Sequence, residues 1–268
     1  MKEFGQYVSE LVSAVETRKS RRKYSKEGLT AEHMQQVKEF AESIETPFDN
    51  TVVISIHSLS GSSVCHFAEP ETFAAICSPD TLVDQAKAGF VGELLILFCE
   101  SIGIGTCWYG HYKKKNAYDI VYGASEEKAP KKIQSVTPLG YCSEKPTGVY
   151  DKLTDIMFSR KKNTVEQNLH KDSIKELPHT VRYALELACK APSAMNSQCW
   201  YFNVQKQSED ILVEIAKPAG YKHIKWAYPD IDVGTCAAHF WLGLLKQGAE
   251  PKVSVQQDGD RAVWKFQL

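Results

Sequence analysis

The sequence predicts an α+β fold built from two similar halves, and three observations carry that expectation. Apolar residues recur at helical spacing in some stretches and at strand-like spacing in others. The same order of elements returns in the second half. At 268 residues the chain is also near the size at which one hydrophobic core divides into two. A 43% hydrophobic, 24% charged composition is that of a chain able to bury such cores and excludes a disordered or collagen-like polypeptide.

The elements follow in order. Met34, Val37, Phe40, Ala41 and Ile44 share one helical face, with Thr30 placed as N-cap and Leu29 and Met34 as a hydrophobic staple. After the break at Pro47-Phe48-Asp49-Asn50, the β-branched run from Thr51 to Ile56 reads as a strand. A long apolar helix is predicted from Leu82 to Ile102 and stopped by Gly103, and Ile133 to Cys142 reads as another strand. In the second half, Pro178 to Lys190 is helical with Val181, Leu185 and Ala188 inward. A Pro-Ser-Ala-Met-Asn break then leads into a strand from Trp200 to Val204. A second apolar helix covers Asp232 to Gln247 and ends at Gly248, and the tail from Val253 to Phe266 alternates around Asp258-Gly259 as a hairpin. Laying Ala41 on Ala188 places Thr46 to Asn50 on Ser193 to Ser197, so the chain reads as two copies of a helix-strand-helix-strand unit. The expected halves are 1–150 and 176–268, joined by the charge-rich connection 151–175.

Charge and cysteine usage narrow the partners. Lysine plus arginine total 32 against 33 acidic residues, so nothing in the bulk electrostatics favours nucleic acid or an anionic membrane. The eight cysteines contain no C-x-x-C pair and sit mostly in apolar stretches, as reduced thiols in the cytoplasm do. The N-terminus is polar, without the apolar run of a signal peptide, and Glu93 and Glu100 interrupt the apolar window from Phe90 to Trp108. A soluble cytoplasmic protein is expected.

Three segments have the composition of a ligand site. Thr17-Arg18-Lys19-Ser20-Arg21-Arg22-Lys23-Tyr24 places five cations around one hydroxyl, which suits a phosphate, although a solvated basic face has the same composition. Ala191-Pro192-Ser193-Ala194-Met195-Asn196-Ser197-Gln198-Cys199-Trp200 crowds hydroxyl and amide side chains into a short loop. A heteroaromatic ligand would use them, and an ordinary helix-to-strand turn favours them too. In Ser101-Ile102-Gly103-Ile104-Gly105-Thr106-Cys107-Trp108-Tyr109-Gly110 the glycines permit close approach to a flat ligand or merely cap a helix. They do not form a dinucleotide fingerprint, because they end a helix instead of opening one. Cys236 and His239 share a helix face but lack further ligands nearby, and read as a core cysteine and a satisfied histidine rather than a metal site.

Together the three segments, with Thr137-Pro138-Leu139-Gly140-Tyr141, resemble the FMN-dependent nitroreductase and flavin reductase superfamily. The matching patterns are an R-x-S-x-R phosphate motif at Arg18 to Arg22, a P-S-x-x-N-x-Q-x-W loop at Pro192 to Trp200, and a G-x-G-T-x-W turn ending at Trp108. Members are typically homodimers with each flavin between subunits. Here the arginines and the glycine turn lie in one half and the P-S-x-x-N loop in the other, so the chain resembles the fused, pseudo-dimeric branch with a nitroreductase-like fold. The resemblance implies FMN as cofactor and NADH or NADPH as electron donor, with nitroaromatic, quinone or flavin acceptors served by a ping-pong cycle on the flavin. It implies that Arg18, Lys19, Ser20 and Arg22, with Lys152, hold the phosphate. Pro192, Ser193 and Asn196 would contact the flavin from the other half, and Gly105 and Thr106 would bring main-chain donors to its N5 edge. No protein nucleophile or general base is implied, and one chain would act as a monomer. A flavin-binding protein without turnover is the alternative, and a pseudo-dimer without cofactor a third.

Overall fold

Each predicted copy carries its own antiparallel sheet. The computed structural model describes residues 4–143, 161–208, 210–223 and 225–268. The first half runs α1 (Val8–Thr17), α2 (Ala31–Ser43), β1 (Val53–Ser58), β2 (Thr72–Ser78), α3 (Leu82–Ser101), α4 (Lys114–Tyr122) and β3 (Lys132–Leu139). The second runs α5 (Val165–Asn168), α6 (His179–Ala188), β4 (Tyr201–Gln207), β5 (Asp210–Ala216), α7 (Pro229–Lys246), β6 (Lys252–Asp258) and β7 (Arg261–Gln267). One sheet has the order β1-β2-β3 and the other β4-β5-β7-β6. Without β6, the last strand in each half lies beside the second.

The repeat therefore holds, but its unit is helix-strand-strand-helix-strand. The sequence reading passed over β2 and β5, and also the short helices α4 and α5. β2 is buried at every position, so it shows no alternation between an inner and an outer face. The Thr30 side chain accepts from the His33 N–H at 3.2 Å, the N-cap expected for α2, and Gly103 and Gly248 take positive φ of 80° and 74° just past α3 and α7. The terminal hairpin turns at Gly259-Asp260, with Asp258 paired to Arg261. Residues beyond α5 run beside β4, through a Leu169–Phe202 bridge and an Ile174 N–H donated to Val204 O at 2.9 Å.

The two halves meet where α3 crosses α7, and both helices are buried almost throughout. A Cβ added to Gly89 would lie 2.0 Å from the Ile231 carbonyl oxygen, and one added to Gly234 would lie 2.0 Å from the Ala86 carbonyl oxygen. The two contacts are reciprocal: Ala86 stands three residues before Gly89, as Ile231 stands three before Gly234. Each glycine thus lets the main chain of the opposite helix approach closely. Aromatic packing continues the core on either side, with Phe40 stacked on Phe98 at 4.0 Å and Phe90 on Trp264 at 5.1 Å. None of the described helices is long and apolar enough to cross a membrane.

Candidate active site

The basic segment begins where α1 stops. Arg18 leaves the helix with ψ 125°, its N–H still donated to Ala14 O, and the chain then pairs Ser20 with Thr106 in a parallel bridge. The Arg21 N–H donates to Thr106 O at 2.7 Å and the Ser25 N–H to Tyr141 O at 2.8 Å, so the segment is laced onto the glycine turn and the end of β3. The glycine turn itself forms a lane along β3, from Gly105 N–H donating to Gly140 O at 2.8 Å to Tyr109 N–H donating to Val136 O at 3.0 Å. Two of the three predicted segments thus lie side by side.

Glycine at 105 serves this packing. A Cβ there would meet Cys142 Sγ at 2.5 Å and Arg21 Cγ at 3.0 Å, and its amide is committed to Gly140. Next to Gly105, the Thr106 hydroxyl is buried without a hydrogen bond among the described residues. Farther along the lane, the consecutive N–H groups of Gly110 and His111 donate to nothing among the described residues. Neither of these two donors was singled out by the sequence reading.

A buried carboxylate ties the basic segment to both halves. Glu93, on α3 and fully buried, accepts from Trp108 Nε1 at 2.6 Å and faces His239 Nε2 of α7 at 2.9 Å, and the Arg18 guanidinium Nε lies 3.8 Å away. The other ring nitrogen of His239 faces Leu187 O at 3.3 Å. Glu93 is the partner that the sequence reading expected for His239 without naming it. Cys236 is a buried core thiol, and no group of metal-binding side chains occurs among the described residues.

The Pro-Ser loop joins this assembly through Lys162. The Lys162 ammonium donates to Ala191 O at 2.5 Å, the Gln198 side chain accepts from the Asn163 N–H at 2.7 Å, and Asp232 of α7 accepts from the Ala194 N–H at 3.1 Å. Pro192 O accepts from Thr235 Oγ1 at 2.8 Å, and Ser193 Oγ accepts from the Gln198 N–H at 2.9 Å. Met195, Asn196 and Gln198 all adopt left-handed φ, of 52°, 52° and 48°, in a loop without glycine. Such strain persists only where surrounding bonds over-determine it, and it clusters at ligand sites. Burial and then the charge of Arg18 push the Lys162 ammonium down to about 8, so this amine belongs with the basic segment as well as with the loop. Lys162 is the cation that the sequence reading missed, having placed it in a connecting segment. Lys152 lies outside the described residues.

Burial also raises the Asp232 carboxyl to about 8, against the opposing influence of the Ala194 N–H and Lys162, and its second oxygen is buried without a partner. These shifts give a signed pH dependence. An unfolded aspartate loses its proton near 3.8 while the folded one keeps it to about 8, so over that window the folded state binds more protons and stability falls as pH rises. Above it, folded Lys162 has lost a proton that the unfolded lysine keeps to 10.5, and stability recovers. Denaturant midpoints across pH should dip near 8, and Asp232→Asn should flatten the descending limb. An unchanged descending limb in that variant would contradict the assignment.

The cationic side chains of Arg18 and Lys162, the unpartnered Thr106 hydroxyl and the strained loop fit a phosphate-bearing ligand with a polar, flat body. The fold is that of a two-sheet α+β protein, with these groups near the crossing of α3 and α7. The chain belongs to the family described as "Putative TM nitroreductase", whose pattern matches residues 10–244. Among solved structures it is similar to a "putative nitroreductase" of Thermotoga maritima MSB8, at 19% identity, covering 96% of this chain and 92% of that one with a TM-score of 0.61. A nitroreductase family protein of Clostridium difficile 630 matches at 11% identity over 61% of this chain and 98% of that one, TM-score 0.45. A nitroreductase of Bacteroides fragilis NCTC 9343 with bound FMN matches at 16% identity over 52% and 94%, TM-score 0.38. No curated protein matches the chain.

Proposed function

We propose that the chain is an FMN-dependent NAD(P)H oxidoreductase passing electrons to nitroaromatic, quinone or flavin acceptors by a ping-pong cycle. The observation that carries this reading is the convergence of the basic segment, the glycine lane and the Pro-Ser loop at the crossing of the two halves. Arg18, Arg22 and Lys162 would neutralise the phosphate, with Lys19 at its solvent side and the hydroxyls of Ser20 and Thr106 as neutral donors. Glu93 holds Arg18 by its Nε, which leaves the terminal nitrogens of the guanidinium for an anion.

Because Ser20 pairs with Thr106, the phosphate end belongs at that point of the lane. The flat end would then lie farther along the lane, toward Gly110. There the Gly110 and His111 N–H groups, without partners among the described residues, would stabilise negative charge as it develops, in place of the Gly105 amide. Pro192, Ser193 and Asn196 close the site from the second half. Bound FMN would supply two-electron transfer, with the balance NAD(P)H + H⁺ + quinone giving NAD(P)⁺ and hydroquinone.

A single site per chain is part of the proposal. Where the second half has its Pro-Ser loop, the first half has Thr46 to Asn50, and Phe48 from that stretch packs edge-on against Phe90 at 5.1 Å and against Trp264 at 5.2 Å. A ring built into the core replaces a ligand loop, which accords with a symmetry-related site that has been lost. One chain, with halves near 1–150 and 176–268, would then suffice as a monomer acting as a pseudo-dimer. The eight free cysteines suit a reducing, cytoplasmic setting. The purified protein should be yellow and bleach when NADH or NADPH is added without oxygen, the colour returning with a quinone. If colour is present and neither nucleotide bleaches it, the chain binds flavin without turnover and the oxidoreductase reading fails.

A further inference from the structure

The crossing of α3 and α7 carries one buried polar pair where its reciprocal geometry would allow two. Counted from the two close-approach glycines, Glu93 stands four residues after Gly89, and the residue four after Gly234 is Ala238. His239 stands five after Gly234, and the residue five after Gly89 is Leu94. Leu94 and Ala238 are apolar and as fully buried in the core as the polar pair. The fold therefore accepts hydrocarbon at the equivalent positions, and exchanging a buried ionisable pair for well-packed hydrocarbon is often neutral or stabilising. Helix packing alone does not account for Glu93 with His239.

What else Glu93 touches supplies the reason. Its Oε2 accepts the Trp108 indole N–H at 2.6 Å, while Oε1 lies 2.9 Å from His239 Nε2 and 3.8 Å from Arg18 Nε. Trp108 and His239 hold the carboxylate from two directions, and both are fixed by packing. The indole lies so close on α3 that a Cβ on Gly92 would come within 2.5 Å of its Cη2. The imidazole is fully buried, with Nδ1 facing Leu187 O at 3.3 Å. Among the described residues, Arg18 has no other carboxylate at ion-pair distance. Burial and Arg18 loosen the proton of Lys162 while Glu93 holds it, so two cations share one carboxylate. A phosphate would bring the missing negative charge.

We infer that His239 is a positioning residue for the cofactor phosphate: from the second half it fixes the Glu93 carboxylate, which orients the Arg18 guanidinium of the first half toward that phosphate. The inference rests on the FMN reading above. Phosphate affinity then depends on a side chain that reaches Arg18 only through Glu93.

The test compares the whole wild-type chain, freed of any bound flavin, with His239→Leu, which copies Leu94, and His239→Gln, which keeps an N–H for Glu93. FMN and riboflavin are titrated by flavin fluorescence and inorganic phosphate by calorimetry. His239→Leu should bind FMN and inorganic phosphate about tenfold more weakly, while riboflavin, which lacks the phosphate, moves less than about twofold. His239→Gln should recover most of the FMN affinity. In an Arg18→Ala background His239→Leu should cost nothing further, because the two act in series. If the leucine variant does not fold, Glu93→Ala combined with His239→Leu reproduces the apolar pair outright and should show the same contrast between FMN and riboflavin. Equal losses for FMN and riboflavin, an unchanged FMN affinity, or a full additional loss on top of Arg18→Ala would overturn the proposal. A chain that binds neither flavin would refute the FMN reading instead. The phosphate titration would then still decide the role of His239, weaker binding by the leucine variant upholding it and equal or absent binding overturning it.

Discussion

Replacing Glu93 by alanine should cost about 3–5 kcal/mol of stability, the range for removing one partner of a buried charged network. The carboxylate is fully buried and serves Trp108, His239 and Arg18, which come from the glycine lane, the second half and the basic segment. Without it, the Trp108 indole N–H loses its acceptor, the buried His239 ring loses its partner and a guanidinium, nearly enclosed, loses its counter-charge, so each retains a desolvation cost with nothing to offset it. A typical domain has only ~5–15 kcal/mol to lose. Urea melts would show this as a lower midpoint at unchanged slope. Glu93→Gln keeps the volume and one acceptor and should lose less. A shift below about 0.5 kcal/mol for the alanine variant would mean that the network is incidental to the fold.

Gly89→Ala and Gly234→Ala should each cost about 3 kcal/mol, although alanine in a helix interior is ordinarily the better residue by ~1 kcal/mol. The sign reverses because each new methyl would sit 2.0 Å from a main-chain oxygen of the opposite helix, and main chain cannot swing aside as a flexible side chain can. Relief requires α3 and α7 to separate, which loosens the interface along its whole length. The reciprocal geometry gives a sharper expectation: the two substitutions should have similar costs, and the double variant should cost less than their sum, since helices already parted accommodate the second methyl cheaply. Strict additivity would show that the two contacts yield locally and independently.

Most of the scaffold was legible because its signals are local. The Thr30 cap, the stops at Gly103 and Gly248 and the hairpin at Gly259 each depend on a residue and its near neighbours, and the doubled order of elements survives in the spacing of α2, β1, α6 and β4. β2 was not legible, because a strand covered on both faces has no period to detect. α4 buries only Ala117 and Tyr118, too little for a clear stripe. The site divides in the same way. Arg18, Ser20, Thr106, Pro192 and Ser193 were proposed from motifs that resemble a known family, whereas Glu93 with His239, Lys162 beside Ala191, and Trp226 on Gly110 are pairings across distant sequence. In the chain Glu93 appears only as a charge interrupting an apolar helix, and Lys162 only as one cation in a run. Gly105 showed the limit of the motif itself: glycine is required there, but for the approach of Cys142 and Arg21.

The central claim is that one complete flavin site is assembled between the two halves of a single chain. Counting FMN released from the reconstituted, denatured protein against chain concentration tests it most directly. The account predicts close to one FMN per chain at saturation, in a protein that sediments as a monomer; two per chain, or none, would contradict it.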